Sequence, residues 1–152
     1  MDVHVRRLEN LVALLKEKGC RVTPQRLAIL RVLTLSRGHP SAEQVHARLA
    51  RQYPTMSLAT VYKTIALLKQ AGEILELQFS DLGNRYDGRR PHPHPHVICT
   101  RCGSIMDADA PLLDDAAERV SRETGYVILA HRLDFFGLCP ACLKKDATRR
   151  SA

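Results

Sequence analysis

Apolar positions in the first half of the chain recur at a helical period. From Val5 to Lys18 they stand at 8, 11, 12 and 15, a single helical stripe, and Gly19 stops it. Thr23-Pro24 opens a second helix: threonine caps, and proline at the first position gives up no needed hydrogen bond. Leu27, Leu30 and Leu33 are its expected core face. Ser41-Ala-Glu-Gln44 reads as a capping box that begins a third helix running to about Arg51. Ser57 caps a fourth, with Leu58, Val61, Ile65 and Leu68 inward and Gly72 at its end. The period then changes to two. Leu75, Leu77 and Phe79 alternate with Glu76 and Gln78, a turn is expected around Gly83-Asn84, and Arg85-Tyr86-Asp87 returns, which is a β-hairpin. Helices followed by a hairpin are the order of a winged helix-turn-helix, with the fourth helix placed to enter a DNA major groove.

The second half reads differently. Arg89-Arg90-Pro91 and the alternating prolines and histidines after it cannot be helical. Short strands are expected around Val97–Cys99 and Ile105–Asp107. Pro111 opens a helix with Leu112, Leu113, Ala116, Ala117 and Val120 on its apolar side, and a strand is expected from Tyr126 to Phe136. The predicted fold is α+β. A winged helix-turn-helix domain spans residues 1–88, a linker 89–95, and a small α/β dimerisation domain 96–152. A sheet this small needs a partner, and its edge or helix is expected to pair with a second copy of the chain.

Charge sharpens the division. The 152 residues carry a net charge of +7, but residues 1–90 hold 15 Lys+Arg against 8 Asp+Glu while residues 91–152 hold 8 against 8. All the excess lies in the first part, the pattern of a segment that meets a polyanion, most simply DNA or RNA; solubilising charge is the plainer alternative. No apolar run is long enough to cross a bilayer, and no secretory leader is read, so a cytoplasmic location is expected.

Chemistry concentrates in one stretch. Cys99-x-x-Cys102 and Cys139-x-x-Cys142 can together offer four thiolates to one tetrahedral ion, a set suited to zinc. The 36 residues between the pairs must fold back to bring them together. Two disulfides or a redox pair are the rival readings, disfavoured by the expected compartment and by a strand rather than a helix before Cys99. Cys20 stands apart and is read as a small packed residue. Ahead of Cys99 runs His92-Pro-His94-Pro-His96. In an extended chain His94 and His96 share a face, and with a carboxylate from elsewhere they would make an N/O site for Fe(II), Mn(II), Zn(II) or Ni(II). A linker that binds metal only incidentally is the alternative. At the start of the fourth helix, Ser57 and Thr60 suit phosphate, Tyr62 suits thymine methyls and Lys63 can donate to guanine. Packing for Tyr62 and a solvated face for Lys63 are the plainer readings.

Six fragments in order carry a resemblance: Arg21-Val-Thr-Pro-Gln-Arg26, His39-Pro-Ser-Ala42, Ala59-Thr-Val-Tyr-Lys63, Arg85-Tyr-Asp87, His94-x-His96-x-x-Cys99-x-x-Cys102-Gly103 and Gly137-Leu-Cys-x-x-Cys142. From about residue 5 to 145 the chain resembles the ferric uptake regulator family of bacterial repressors. The resemblance implies a homodimer that binds a palindromic operator in double-stranded DNA when loaded with a divalent metal. It puts structural Zn(II) on Cys99, Cys102, Cys139 and Cys142, and a regulatory ion, Fe(II) or Mn(II), on His39, Asp87, His94, His96 and Asp107. It also implies that Arg21 reaches an A·T-rich minor groove. Lys63 stands where arginine is common, losing a bidentate fork. Aspartate rather than glutamate at 107 is similar to the peroxide-sensing members, in which Fe(II) and peroxide oxidise histidine ligands, here His94 and His39. The alternative within the family is a metal-homeostasis repressor without redox sensing. An auxiliary metal site of some members is weakened: prolines 93 and 95 replace part of it, leaving Asp114 and His131, the latter read as a strand residue. His4 and His46 are read as solvated. No enzyme is expected, because a metallohydrolase would need a glutamate base in the His-Cys segment and would leave the basic half unexplained.

Overall fold

The computed structural model describes residues 3–109 and 115–150. The chain divides into two compact units, Met1–His92 and Pro93–Ala152.

In the first unit the helical stripes form the elements they predict: α1 (Val3–Glu17), α2 (Pro24–Leu35), α3 (Ala42–Leu49) and α4 (Leu58–Gln70). The starts of α2, α3 and α4 are each capped by a hydroxyl. Thr23 Oγ1 accepts from the Arg26 N–H at 3.2 Å and Ser57 Oγ from the Thr60 N–H at 3.2 Å. Ser41 and Gln44 exchange both bonds of a capping box. One core gathers Leu11 and Leu15 of α1, Ile29, Leu30 and Leu33 of α2, Val45 of α3, and Val61, Ile65 and Leu68 of α4. Leu27 is only half-buried, and Ile29 takes the deeper place beside Leu30. Cys20 packs at the margin of this core, which fits its reading as a small apolar residue.

The hairpin pairs β1 (Leu75–Phe79) with β2 (Gly83–Asp87), Leu75 opposite Asp87 and Phe79 opposite Gly83. The expected turn at Gly83-Asn84 is therefore displaced to residues 80–82, and both residues belong to the strand. Gly83 at φ +66 closes a three-residue loop, a position that calls for left-handed backbone. Arg7 of α1 fastens the hairpin. It pairs with the Glu73 carboxylate, donates to the Glu73 carbonyl at 2.9 Å, and reaches the Gly88 carbonyl at 3.2 Å.

In the second unit β3 (His96–Cys99) lies between antiparallel β4 (Ile105–Asp107) and parallel β5 (Asp134–Gly137). His96 stands opposite Asp107 on one side and Asp134 on the other. Two helices complete the unit, α5 (Ala116–Thr124) and α6 (Pro140–Arg150). Leu112, Leu113 and Asp114 of the predicted helix start lie outside the described residues, as does Pro111. The strand expected from Tyr126 to Phe136 shrinks to its last residues. Tyr126, Val127 and Leu129 are 72%, 82% and 93% exposed and pair with no strand among the described residues. Alternating apolar residues specify a strand only where a neighbour offers hydrogen bonds. His131 accordingly lies outside β5, exposed, against its expected place in a strand.

Candidate metal centre

The cysteine site is built by two turns at one end of the three-stranded sheet. After Cys99 the chain reverses: the Gly103 N–H donates to the Cys99 carbonyl at 2.9 Å, and Gly103 takes φ +68. The second pair sits between β5 and the first turn of α6, where Pro140 leaves no N–H to satisfy. The four sulfur atoms lie within 4.8 Å of one another, and all are free thiols. Cys102 and Cys139 are 3.7 Å apart. A Zn–S bond of about 2.3 Å on a tetrahedron sets sulfur–sulfur edges near 3.8 Å, whereas a disulfide would need about 2.05 Å. The disulfide reading is therefore out.

Electrostatics support the same ion. N–H groups of Cys102 and Cys139 aimed at Cys99 bring its thiol down to about 6. The Ser104 hydroxyl, 3.3 Å away, lowers that of Cys102. Cys142 moves oppositely, pushed up to about 12 by burial and by the neighbouring sulfurs. Burial among neighbouring sulfurs thus opposes charge on Cys142 unless a cation sits among them. The donor set fits zinc.

Histidine and aspartate meet in two clusters, one in each unit. In the first, His39 and Asp87 are each 2% exposed, with Nε2 and Oδ2 3.3 Å apart. His39 Nδ1 faces the Arg37 carbonyl at 3.2 Å, which fixes a proton there and turns Nε2 toward the carboxylate. The other oxygen of Asp87 accepts from the Arg89 and Arg90 N–H groups at 2.7 and 3.0 Å. In the second unit His94 Nε2 lies 3.1 Å from Asp107 Oδ1, and the His94 and His96 rings are 4.3 Å apart between centroids. Both clusters are nitrogen and oxygen donors, hard enough to suit Fe(II), Mn(II) or Zn(II).

Sequence reasoning missed one neighbour. Asp134 Oδ1 approaches His96 Nδ1 at 3.7 Å, and the Arg132 Nε–H donates to its Oδ2 at 2.6 Å. The only signal was an acidic residue inside an apolar run, three positions before Gly137.

The residues that the sequence assigns to DNA contact sit at the start of α4 and just before α2. Ser57 and Thr60 hydroxyls are 3.0 Å apart, part of the cap. Tyr62 is 44% exposed, and its hydroxyl donates to Glu43 of α3 at 2.6 Å. That bond lowers the Glu43 carboxyl and raises the Tyr62 phenol. Lys63 and Arg21 are exposed. His46, read as solvated, instead donates to the Met56 carbonyl at 2.8 Å and pins the turn between α3 and α4.

The sequence matches the model of the ferric uptake regulator family over residues 17–136, and the chain belongs to that family. It is 38% identical over 139 residues to the peroxide operon regulator of Bacillus subtilis, covering 91% of this chain and 95% of that one. The Helicobacter pylori ferric uptake regulator superposes with a TM-score of 0.77 at 26% identity, over 93% of this chain and 95% of that one. PerR from Streptococcus pyogenes, solved to explain its peroxide sensing and gene regulation, is 37% identical with a TM-score of 0.52, over 90% and 92% of the two chains. No described helix is long and apolar enough to cross a membrane.

Proposed function

We propose that this protein is a dimeric, metal-dependent repressor of transcription that senses peroxide. The observation that carries the reading is the pair of His/Asp clusters, His39–Asp87 in one unit and His94–His96–Asp107 in the other. A divalent ion shared by all five would tie the DNA-binding unit to the dimerisation unit. Metal binding and operator binding would then draw on one conformational equilibrium, and each would favour the other. Helix α4 presents Tyr62 and Lys63 to the major groove, Ser57 and Thr60 lie at its phosphate-facing end, and Arg21 serves the minor groove.

The zinc among Cys99, Cys102, Cys139 and Cys142 clips the dimerisation unit. The exposed apolar residues there, among them Val97, Phe135, Phe136 and Leu143, support burial against a second copy. The cytoplasm is where such a protein meets its operator, in keeping with its bacterial relatives.

Peroxide sensing rests on the hard donor set, on aspartate at 107, and on relatives named for peroxide response. Iron(II), when bound, supplies the electron that cleaves peroxide beside its own ligands. His94 and then His39 would take up the oxygen, because their rings would hold the ion. Oxidised, these histidines hold the metal poorly, and the units lose their tie. The regulator without redox sensing differs only in that last chemistry.

Operator affinity measured at fixed salt, for protein stripped of its regulatory ion and for Mn(II)-loaded protein, tests the reading. Mn(II) is expected to tighten binding at least tenfold, a coupling of about 1.4 kcal/mol. Equal affinities would end it.

A further inference from the structure

Arg85 belongs to a fragment of the family resemblance, yet no metal or DNA role falls on it. Its surroundings are specific. One guanidinium nitrogen donates to the His39 carbonyl at 3.2 Å and to the Gln44 side-chain oxygen at 3.2 Å. That same oxygen accepts from the Ser41 N–H at 3.0 Å, so Arg85 joins β2 to the cap of α3.

The residue it holds is strained. His39 has φ +49, and among the described residues it alone, apart from glycine, has positive φ. Proline follows it, and a residue before proline is ordinarily driven to extended backbone near φ −120°. A histidine persists in the left-handed region only where its surroundings over-determine it, and such outliers gather at functional sites. Three bonds do so here: Arg85 to the His39 carbonyl, the Tyr86 N–H to the Pro40 carbonyl at 3.1 Å, and His39 Nδ1 with the Arg37 carbonyl at 3.2 Å. Of these only the first comes from a side chain outside the turn.

We infer that Arg85 is a positioning residue: it holds the strained backbone of His39 so that Nε2 is aimed at the Asp87 side of the regulatory ion, and it anchors that ligand to the helix-turn-helix through Gln44. The inference rests on the proposed role of His39 as a ligand. Without Arg85 the turn relaxes toward extended backbone and carries the imidazole away from Asp87. The link to α3 also gives a change at His39 a bonded path to the DNA-reading helices, all of it inside one unit.

The test is Mn(II) binding to the zinc-replete, full-length protein without DNA, followed by the paramagnetic signal of free Mn(II). Omitting DNA separates this role from any contact of Arg85 with phosphate. Arg85→Met is expected to weaken Mn(II) binding roughly tenfold or more, the scale of losing a ligand's outer support. Its zinc content and melting temperature should stay near wild type. Arg85→Lys, which restores one donor, should recover part of the loss, and Arg85→Gln serves if the methionine variant does not fold. Wild-type Mn(II) affinity in the folded methionine or glutamine variant, with His39→Ala impaired, would overturn the role of Arg85 alone. Wild-type affinity in His39→Ala as well would remove the metal-ligand reading itself.

Discussion

Aspartate and glutamate differ by one methylene, and at a metal site that is enough to move an oxygen by roughly one C–C bond. Asp107 stands on β4 opposite His96, with Oδ1 3.1 Å from His94. The strand register fixes its backbone opposite His96. Asp107→Glu keeps the charge but pushes the carboxylate outward, which would change how it holds an ion. That variant is expected to repress with Mn(II) or Fe(II) and to release DNA at least tenfold more slowly under peroxide. Release timed by a labelled operator checks it, and wild-type speed would show that the shorter side chain has no part in sensing.

At the scale of elements, zinc and α4 are the pieces that can be perturbed separately. Cys99 and Cys142 are buried at the sheet end, where the sulfur cluster brings α6 to the paired strands β3 and β5. Cys99→Ser or Cys142→Ser should lose zinc and dimer together, read by metal analysis and sedimentation; a dimer without zinc would refute the structural role. Lys63→Ala leaves the α4 cap and core untouched and should lower operator preference over random DNA by about 1–3 kcal/mol. An unchanged preference would make Lys63 a solvated lysine.

Legibility followed locality. Caps at Thr23, Ser41 and Ser57 were readable because each bonds a residue three positions on. The cysteine pairs and the His94–His96 face were readable because spacings of two or three positions carry their own geometry. Arg7 binding Gly88, His46 binding Met56 and Asp134 beside His96 were not, since those partners meet only through the tertiary fold. The strand from Tyr126 failed for a related reason: its alternation describes an apolar face, while a strand also needs an edge to pair with.

At the scale of the molecule, a basic unit and a neutral unit divide the labour. The surplus of lysine and arginine in residues 1–90 would neutralise phosphates on both half-sites of an operator. Operator affinity should therefore fall steeply with salt, by about three decades or more between 50 and 200 mM if six or more phosphates are met. A slope near zero would leave the basic excess without a polyanion. Under the proposed function a regulatory ion would couple the two activities, and sensing would be the chemical loss of two of its ligands. The most direct test follows operator binding while peroxide is added to Fe(II)-loaded and to Mn(II)-loaded protein, with peptide mass spectra of each product. The iron form is expected to release DNA and to gain one oxygen on a peptide holding His94 or His39, while the manganese form stays bound and unmodified. Oxidation confined to cysteines or methionines, with both histidines intact, would contradict peroxide sensing through the metal.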